Sequence, residues 1–352
     1  MRQPILIIGQ GLAGTAIAWR LWQCGIPFLI VDPNQSETCS KVAAGLITPI
    51  TGMRLNLSWR IADLLPAAEH FYRDIEKQLG VGFYHSLPHS RLFKEPREIA
   101  LWEKRRIDPA FIPWIDSESE SESADEIADP ALFHSELGGF RQQGSGWLDT
   151  LTYLEASRQF FEENTCCQQG LVNESDLDIR ADTIIWHDAE FSHAILCRGW
   201  QQSASDLTPW LPFDAARGVM VDLEFESSIL SRHIYNRGGW ILPHSPDRWR
   251  AGSTYEFDFQ RPLEDSLADL QKKLQALLRI PFTMTRPRAG VRPIIKGRQA
   301  VLGRHPANDR LLVFNGLGSK GAMKSPLLSR WLVDHLLDHQ PLDEAIDIRS
   351  NL

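Results

Sequence analysis

Three stretches of the chain combine residue types and spacings that could do chemistry. In the first, Gly9-Gln10-Gly11-Leu12-Ala13-Gly14 follows the apolar run Ile5 to Ile8 and opens a helix-forming stretch. Gly9 permits a tight turn, Gly11 leaves room for a pyrophosphate to approach the backbone, and Gly14 lets the helix pack closely on the strand. The phosphates would then sit at the helix N-terminus, where free N–H groups and the positive dipole end favour an anion. Asp32, followed by Pro33, ends the second strand about twenty residues on, where a carboxylate can accept from both ribose hydroxyls. An acid there would repel a 2′-phosphate, which disfavours NADP. The signature alone leaves NAD and FAD open.

The second stretch is Gly316-Leu317-Gly318-Ser319-Lys320-Gly321. A triphosphate-binding loop would continue with Lys and then Ser or Thr, and Ala322-Met323 stand there instead. What remains is a run of exposed backbone N–H groups leading into a helix, with Ser325 as its expected N-cap and Pro326 as its first residue. Such a loop suits the pyrimidine end of a flavin, where fixed donors stabilise charge developing over N1 and the C2 carbonyl. The third stretch, TRPRAGVRPII, carries Arg286, Arg288 and Arg292 among apolar neighbours. Arg292, in an expected strand, needs an anionic partner: either a structural carboxylate or the carboxylate of a substrate. Tyr235, Trp240, His244 and Tyr255 are candidates for a pocket wall. His335 and His339 stand i, i+4 on the last helix with no third ligand in view, so no metal is expected.

These groups must be positioned by elements that alternate in kind. Ile5 to Ile8 and Phe28 to Val31 read as strands buried on both faces, with a helix from Leu12 to Cys24 between them closed by Gly25 and Pro27. Amphipathic helices are expected over Trp59 to Leu79, Leu148 to Glu163 and Leu263 to Leu278, with Ile61, Leu64, Leu65, Ala68, Tyr72 and Ile75 on the buried side of the first. Short strands are expected over Thr183 to Trp186, Ala194 to Cys197, Gly218 to Phe225 and Trp240 to Pro243. A strand, glycine loop and helix close the chain (Leu311 to Phe314, GLGSKG, Pro326 to Leu337), so both ends are expected in one sheet. The acidic run SESESESADEIAD at 117–129 reads as a solvated loop.

Composition sets the outer bounds. At 352 residues two domains are expected, and 43% apolar with 23% charged residues is ordinary globular usage. No apolar run approaches the roughly 20 residues that span a bilayer. Five cysteines without a C-x-x-C pair, and a start without a basic n-region, lead to an expected cytoplasmic location with reduced thiols. A net charge of −8 argues against a large phosphate-binding surface, although Lys94, Arg97, Lys104, Arg105 and Arg106 form one local basic cluster that leaves nucleic acid open as a partner.

Taken in order, these pieces resemble the D-amino-acid oxidase and glycine oxidase (DAO) superfamily of FAD-dependent oxidoreductases, which includes sarcosine oxidases. The likeness also rests on AAGLITP at 43–49, GWLDTLTYLEA at 146–156, ILCRGWQQS at 195–203, ARGVMVDLE at 216–224, and GGWILPH and AGSTYE within 238–256. The nearest stretch is AGVRPIIKGRQAVLGRHP followed by GLGSKGAMKSPLLSRWL, whose loop is similar to the oxidase half of the bifunctional enzyme maturing 5-methylaminomethyl-2-thiouridine in tRNA. The resemblance implies an α/β chain, α+β overall, with a Rossmann-like FAD-binding domain (1–84, 146–215 and 290–352) interleaved with an antiparallel-sheet substrate domain (85–145 and 216–289). It implies that FAD is held by Gly9, Gly11, Leu12, Ala13, Gly14, Asp32, Pro33, Ala43, Ala44, Gly45, Gly199, Gly316, Gly318, Ser319, Lys320, Gly321 and Ala322. Arg292, Lys320 and Tyr255 become the candidate catalytic residues, with Arg292 clamping the substrate carboxylate. Two departures stand out. Lys296-Gly297-Arg298 and Ala300 replace an aspartate and proline common after the arginine–proline pair, and the C-terminal third has no cysteine, so non-covalent FAD is expected.

The implied activity is oxidation of the C–N bond of a small carboxylate-bearing amine or amino acid by hydride transfer to flavin N5, with oxygen or another acceptor taking the electrons. Oxidation of a 2-hydroxy acid, or of an N-carboxymethyl group on a tRNA wobble uridine, would use the same clamp. A flavin-binding protein without turnover is the alternative outside enzymes.

Overall fold

The computed structural model describes residues 3–116, 127–226, 231–245, 248–297 and 299–350. The acidic run at 117–126 and Arg298 lie outside the described residues. Ile127 and Ala128, which the reading above placed in a solvated loop, are instead buried against Phe133 and Leu92. Apolar side chains end that segment, and burial decides their place.

The central sheet runs Cys167–Gln169, Phe28–Asp32, Ile5–Ile8, His193–Leu196, Asn308–Asn315 and Val301–His305; the first five strands are parallel and the last closes an antiparallel hairpin. The two ends of the chain do enter one sheet, one strand apart. Alternation explains why these strands are apolar without interruption. Ile5, Ile7, Ile30, Ile195, Leu312 and Phe314 face the helices Leu12–Gln23, Ile61–Leu79, Thr150–Glu163 and Gly321–Asp338, whereas Leu6, Ile8, Val31, Leu196 and Val313 face the small meander Leu177–Ile179, Ile184–Trp186 and Ala189–Phe191. All six apolar positions expected on the buried side of the second helix are buried. Asp149 caps the helix Thr150–Glu163 by accepting from Thr152 N–H (3.4 Å).

The second sheet has seven strands in the order Thr283–Arg292, Ala216–Glu224, Arg248–Gly252, Trp240–Ser245, Ile234–Asn236, His89–Leu92 and Gly139–Gln142. It is antiparallel throughout save for the parallel pair Ile234–Asn236 and His89–Leu92. One face, carrying Val221, Leu223, Ile241 and Ala251, packs on Leu270 and Leu274 of the helix Leu263–Gln275.

The last helix departs from the expected start. It begins at Gly321, so Ser325 and Pro326 lie inside it and neither caps nor opens it. The turn Gly318–Lys320 is already helical in sense and feeds straight into it. Pro326 has no N–H, which leaves the Ala322 carbonyl, four residues back, without its helical donor. Tyr72 supplies the missing hydrogen: its Oη donates to the Ala322 oxygen at 2.7 Å, with Ser325 Oγ at 3.4 Å. Both sides are buried, so Tyr72→Phe should lower unfolding free energy by about 1–3 kcal/mol, the range for a buried acceptor left unsatisfied. Urea denaturation measures this, and wild-type stability in the variant would contradict it.

Candidate active site

Between the two sheets lies a cavity of about 860 Å³. Its first wall is the opening turn. Gly9 has φ +103°, and a Cβ there would stand 2.6 Å from the Cys197 carbonyl oxygen, so only glycine fits. Gly11, Leu12 and Ala13 continue the wall, and Ser40 Oγ accepts from Leu12 N–H (3.1 Å) at the helix N-terminus. Gly14 is set back from the wall; a Cβ on it would fall 1.9 Å from the Gly9 oxygen, so its part is to bring the helix onto the turn. Asp32 is fixed by the N–H groups of Gln10 (2.8 Å) and Asn34 (2.7 Å), with Arg158 Nη1 3.6 Å away, and Pro33 follows it along the wall.

Ala43, Ala44 and Gly45 form the next stretch; Gly45 lies so close to Leu148 that a Cβ would be 1.9 Å from its oxygen. Gly199 lines the cavity and its carbonyl accepts from Asn315 Nδ2 (2.9 Å). Gly318, Ser319, Lys320, Gly321 and Ala322 supply the far side, while Gly316 turns the chain behind it at φ +75° against Ile295. The closing loop sits beside the opening one: a Cβ on Gly321 would be 3.0 Å from Leu12 Cδ1.

Two cations in this space, Arg292 and Lys320, have no carboxylate partner among the described residues. Arg292, the last residue of its strand, donates from Nη2 to Ser253 Oγ (2.9 Å) and from Nη1 to the Thr254 carbonyl (3.3 Å), with its guanidinium 5.5 Å from the Tyr255 ring centre. Among the described residues it makes no ion pair. Glu256 nearby is taken by Arg217 (3.4 Å) and Arg261 (3.7 Å). Burial pulls the Arg292 pKa below its ordinary value, partly offset by Cys39 and Tyr255. Among the described residues Lys320 Nζ donates to hydroxyls alone, Ser58 Oγ (2.9 Å) and Thr51 Oγ1 (3.1 Å), and burial lowers its pKa too. Tyr255 is half exposed at the mouth.

Other expected positions lie elsewhere. Trp240 lines the cavity, but strand alternation turns Tyr235 to the other face, where it stacks on Phe133 within the core, and His244, on the same face as Trp240 but four residues further along the strand, faces a separate recess beside Trp147. His335 bonds the Gln340 carbonyl and His339 ends the helix in a left-handed turn; no group of three metal-ligating side chains occurs among the described residues. Arg97 and Arg106 of the basic cluster pair with Glu95 and Glu103. Sequence reasoning missed Ser40, Ser253, Thr254, His89, Arg91 and Asn236, for which no local motif signals a site. All five cysteines are free thiols, and no helix among the described residues is long and apolar enough to cross a membrane.

A glycine-lined cradle, an acid placed to meet a ribose and two cations with no counter-ion among the described residues together suit a long, anionic dinucleotide. The family profile of DAO, the FAD-dependent oxidoreductases, matches residues 4–335. The chain belongs to this family. It is therefore a member of a family of FAD-dependent oxidoreductases, with a Rossmann-like FAD-binding domain and a second domain built on the seven-stranded sheet. Its fold is that of the glycine oxidase from Geobacillus kaustophilus (TM-score 0.77, 19% identity, 99% of this chain and 97% of that one) and of iminodiacetate oxidase from Chelativorans sp. BNC1 (TM-score 0.72, 18% identity, 97% and 98%). In sequence it is 25% identical over 385 residues to the tRNA 5-methylaminomethyl-2-thiouridine biosynthesis bifunctional protein of Azoarcus sp. (strain BH72), covering 97% of this chain and 58% of that protein. A 23% match over 177 residues joins it to the N5-carboxyaminoimidazole ribonucleotide synthase of Staphylococcus saprophyticus, covering 48% of this chain and 47% of that protein. The alignments thus span about half the length of these curated relatives.

Two measurements probe the site. A Cβ on Gly218 would fall 2.1 Å from Arg292 Nη2, the mobile end of a long side chain. Gly218→Ala should therefore fold and bind FAD normally yet displace the guanidinium, weakening carboxylate binding by about tenfold or more; unchanged affinity in a flavin-difference titration would contradict this. Lys324 is buried, with Nζ on the Gln299 carbonyl (2.6 Å), and burial aided by Lys320 pulls its pKa from 10.5 to about 8. Between those values the unfolded chain holds a proton that the folded one has released, so the penalty is present below about pH 8 and lifts as pH rises toward 10.5. Lys324→Met should flatten the rise of unfolding free energy across that window, as read by urea titrations at several pH values; an unaltered slope would speak against it.

Proposed function

We propose that the enzyme oxidises the C–N bond of a small amine or amino acid bearing a carboxylate, with Arg292 as the anchor. The observation that carries this reading is a partly buried guanidinium on the cavity wall whose described partners are all neutral. A carboxylate arriving with substrate would complete it through a bidentate pair. The names of the glycine and iminodiacetate oxidases of like fold agree with such a substrate.

When bound, FAD supplies a two-electron acceptor for the hydride that leaves the carbon beside nitrogen. The residues of the chain do the rest. The glycines from Gly9 to Gly14 and the acid Asp32 would hold the adenylate end without a covalent bond, and Gly318 to Ala322 with Lys320 would face the flavin end as fixed donors. Arg292 would hold the carboxylate so that the C–H bond lies in reach, and Tyr255, over the guanidinium, would limit water at the mouth. The segments 1–84, 146–215 and 290–352 serve the cofactor in this reading, and 85–145 with 216–289 the substrate. Molecular oxygen is the proposed final acceptor.

A second reading draws on the Azoarcus tRNA-modifying protein, which aligns with 97% of this chain: the amine would be an N-carboxymethyl group on a wobble uridine. Anaerobic bleaching of the flavin against glycine, sarcosine, D-amino acids, proline, 2-hydroxy acids and tRNA separates these readings. Bleaching by an amine-bearing carboxylate is expected, and bleaching by hydroxy acids alone would exclude it. Arg292→Ala should raise the substrate KM by orders of magnitude with flavin content intact; unchanged kinetics would remove the anchor.

A further inference from the structure

The cavity wall contributed by the strands far from Arg292 holds a buried donor with no acceptor among the described residues. His89 is 2% exposed and lines the cavity. Gln142, opposite it in the sheet, accepts the Ile50 N–H at Oε1 (2.8 Å), which fixes its amide and turns Nε2 toward His89 Nδ1 at 3.5 Å. An amide nitrogen only donates, so Nδ1 is the accepting nitrogen and the imidazole proton sits on Nε2. That Nε2 is buried and has no partner among the described residues. Burial and the Arg91 charge hold the pKa down to about 3, so the ring stays neutral and the donor persists at working pH.

A second donor stands beside it. Arg91, two residues on and on the same face, donates to Asn236 Oδ1 and to the buried Glu98 (2.6 Å). With its oxygen taken, Asn236 offers its Nδ2 hydrogens, for which no described residue is an acceptor. Arg91 and Asn236 both line the cavity. Their distance from the anchor follows from register. Gly252, next to the Ser253 that receives Arg292, pairs with Trp240, Trp240 with Asn236, and Asn236 with Arg91. Two strand spacings put Asn236 about 10 Å from Gly252, and a third puts the strand of Arg91 and His89 at about 14 Å. Trp240, whose ring lies over Gly252, floors the space between.

We infer that this end is a second recognition point for the same substrate: His89 and Asn236 donate to an acceptor oxygen carried well away from the carboxylate on Arg292. The substrate class is then an amine with an extended, oxygen-bearing arm, and a glycine-sized molecule fills only the anchor end. This rests on the reading of Arg292 as carboxylate anchor.

The test uses the holoenzyme and three probes, acetate, decanoate and decanedioate, followed by perturbation of the flavin absorption. Decanedioate should bind about tenfold or more tighter than decanoate, because only it brings an acceptor to the far end. His89→Phe should erase that preference while acetate affinity, flavin content and the visible spectrum of the free enzyme stay as in wild type. His89→Gln, which returns an amide N–H near the Nε2 position, should restore much of it. Acetate binding with no preference for decanedioate in the wild type sinks this inference alone, and needs no variant to fold. Failure of all three carboxylates to bind sinks the anchor and this inference together. An altered flavin spectrum in His89→Phe would assign the donor to the cofactor and overturn it.

Discussion

Leu12 and Gly321 are the first residues of two helices whose strands lie one apart in the same parallel sheet, and a Cβ on Gly321 would meet the Leu12 side chain at 3.0 Å. More than 300 residues of sequence separate them. Because each strand of a parallel sheet delivers its chain to the same edge, both glycine turns open there, and both helix N-termini face one space. Any arrangement that moved the closing strand to the other side of the sheet would part the turns and leave no single cradle for a dinucleotide.

The second sheet faces this edge and determines what else can bind. Its strand Ala216–Glu224 carries Gly218, whose missing side chain is the room in which the Arg292 guanidinium lies. The acid that could have neutralised Arg292 is held by Arg217 and Arg261 instead. The cavity therefore keeps unspent positive charge at two places, Arg292 and Lys320, and neutral donors at a third, His89 with Asn236. Charge of that kind is stable in a folded protein when an anion completes it, which ties the cofactor and the proposed substrate to one electrostatic arrangement.

Much of the cofactor end could be read from the sequence because its physics is local. The turn Gly9 to Gly14 needs its glycines within six positions, and Asp32 follows at the end of the next strand. The closing loop was equally legible as a donor-rich turn, yet its helix was placed too late, since Ser325 and Pro326 imitate a helix start and only Tyr72, from a remote helix, explains why a proline is tolerated inside. Arg292 could be named but not interpreted, because its meaning depends on where Glu256 turns. Tyr235 points to the core, since register decides the face of a strand residue, and His244 keeps the face of Trp240 but lies too far along the strand to reach the cavity. His89 and Asn236 could not be found at all: their significance rests on Gln142 fixing an imidazole tautomer and Arg91 fixing an amide, across strands that only the folded sheet brings together.

Titration of flavin-free protein with FAD and with FMN tests the convergence of the two chain ends most directly. If the opening turn grips the adenylate half while the closing loop meets the flavin half, FAD should bind with one equivalent per chain and restore a visible flavin band, and FMN, which lacks the adenylate, should bind far more weakly. Equal affinity for the two, or no visible absorbance after reconstitution with FAD, would contradict it.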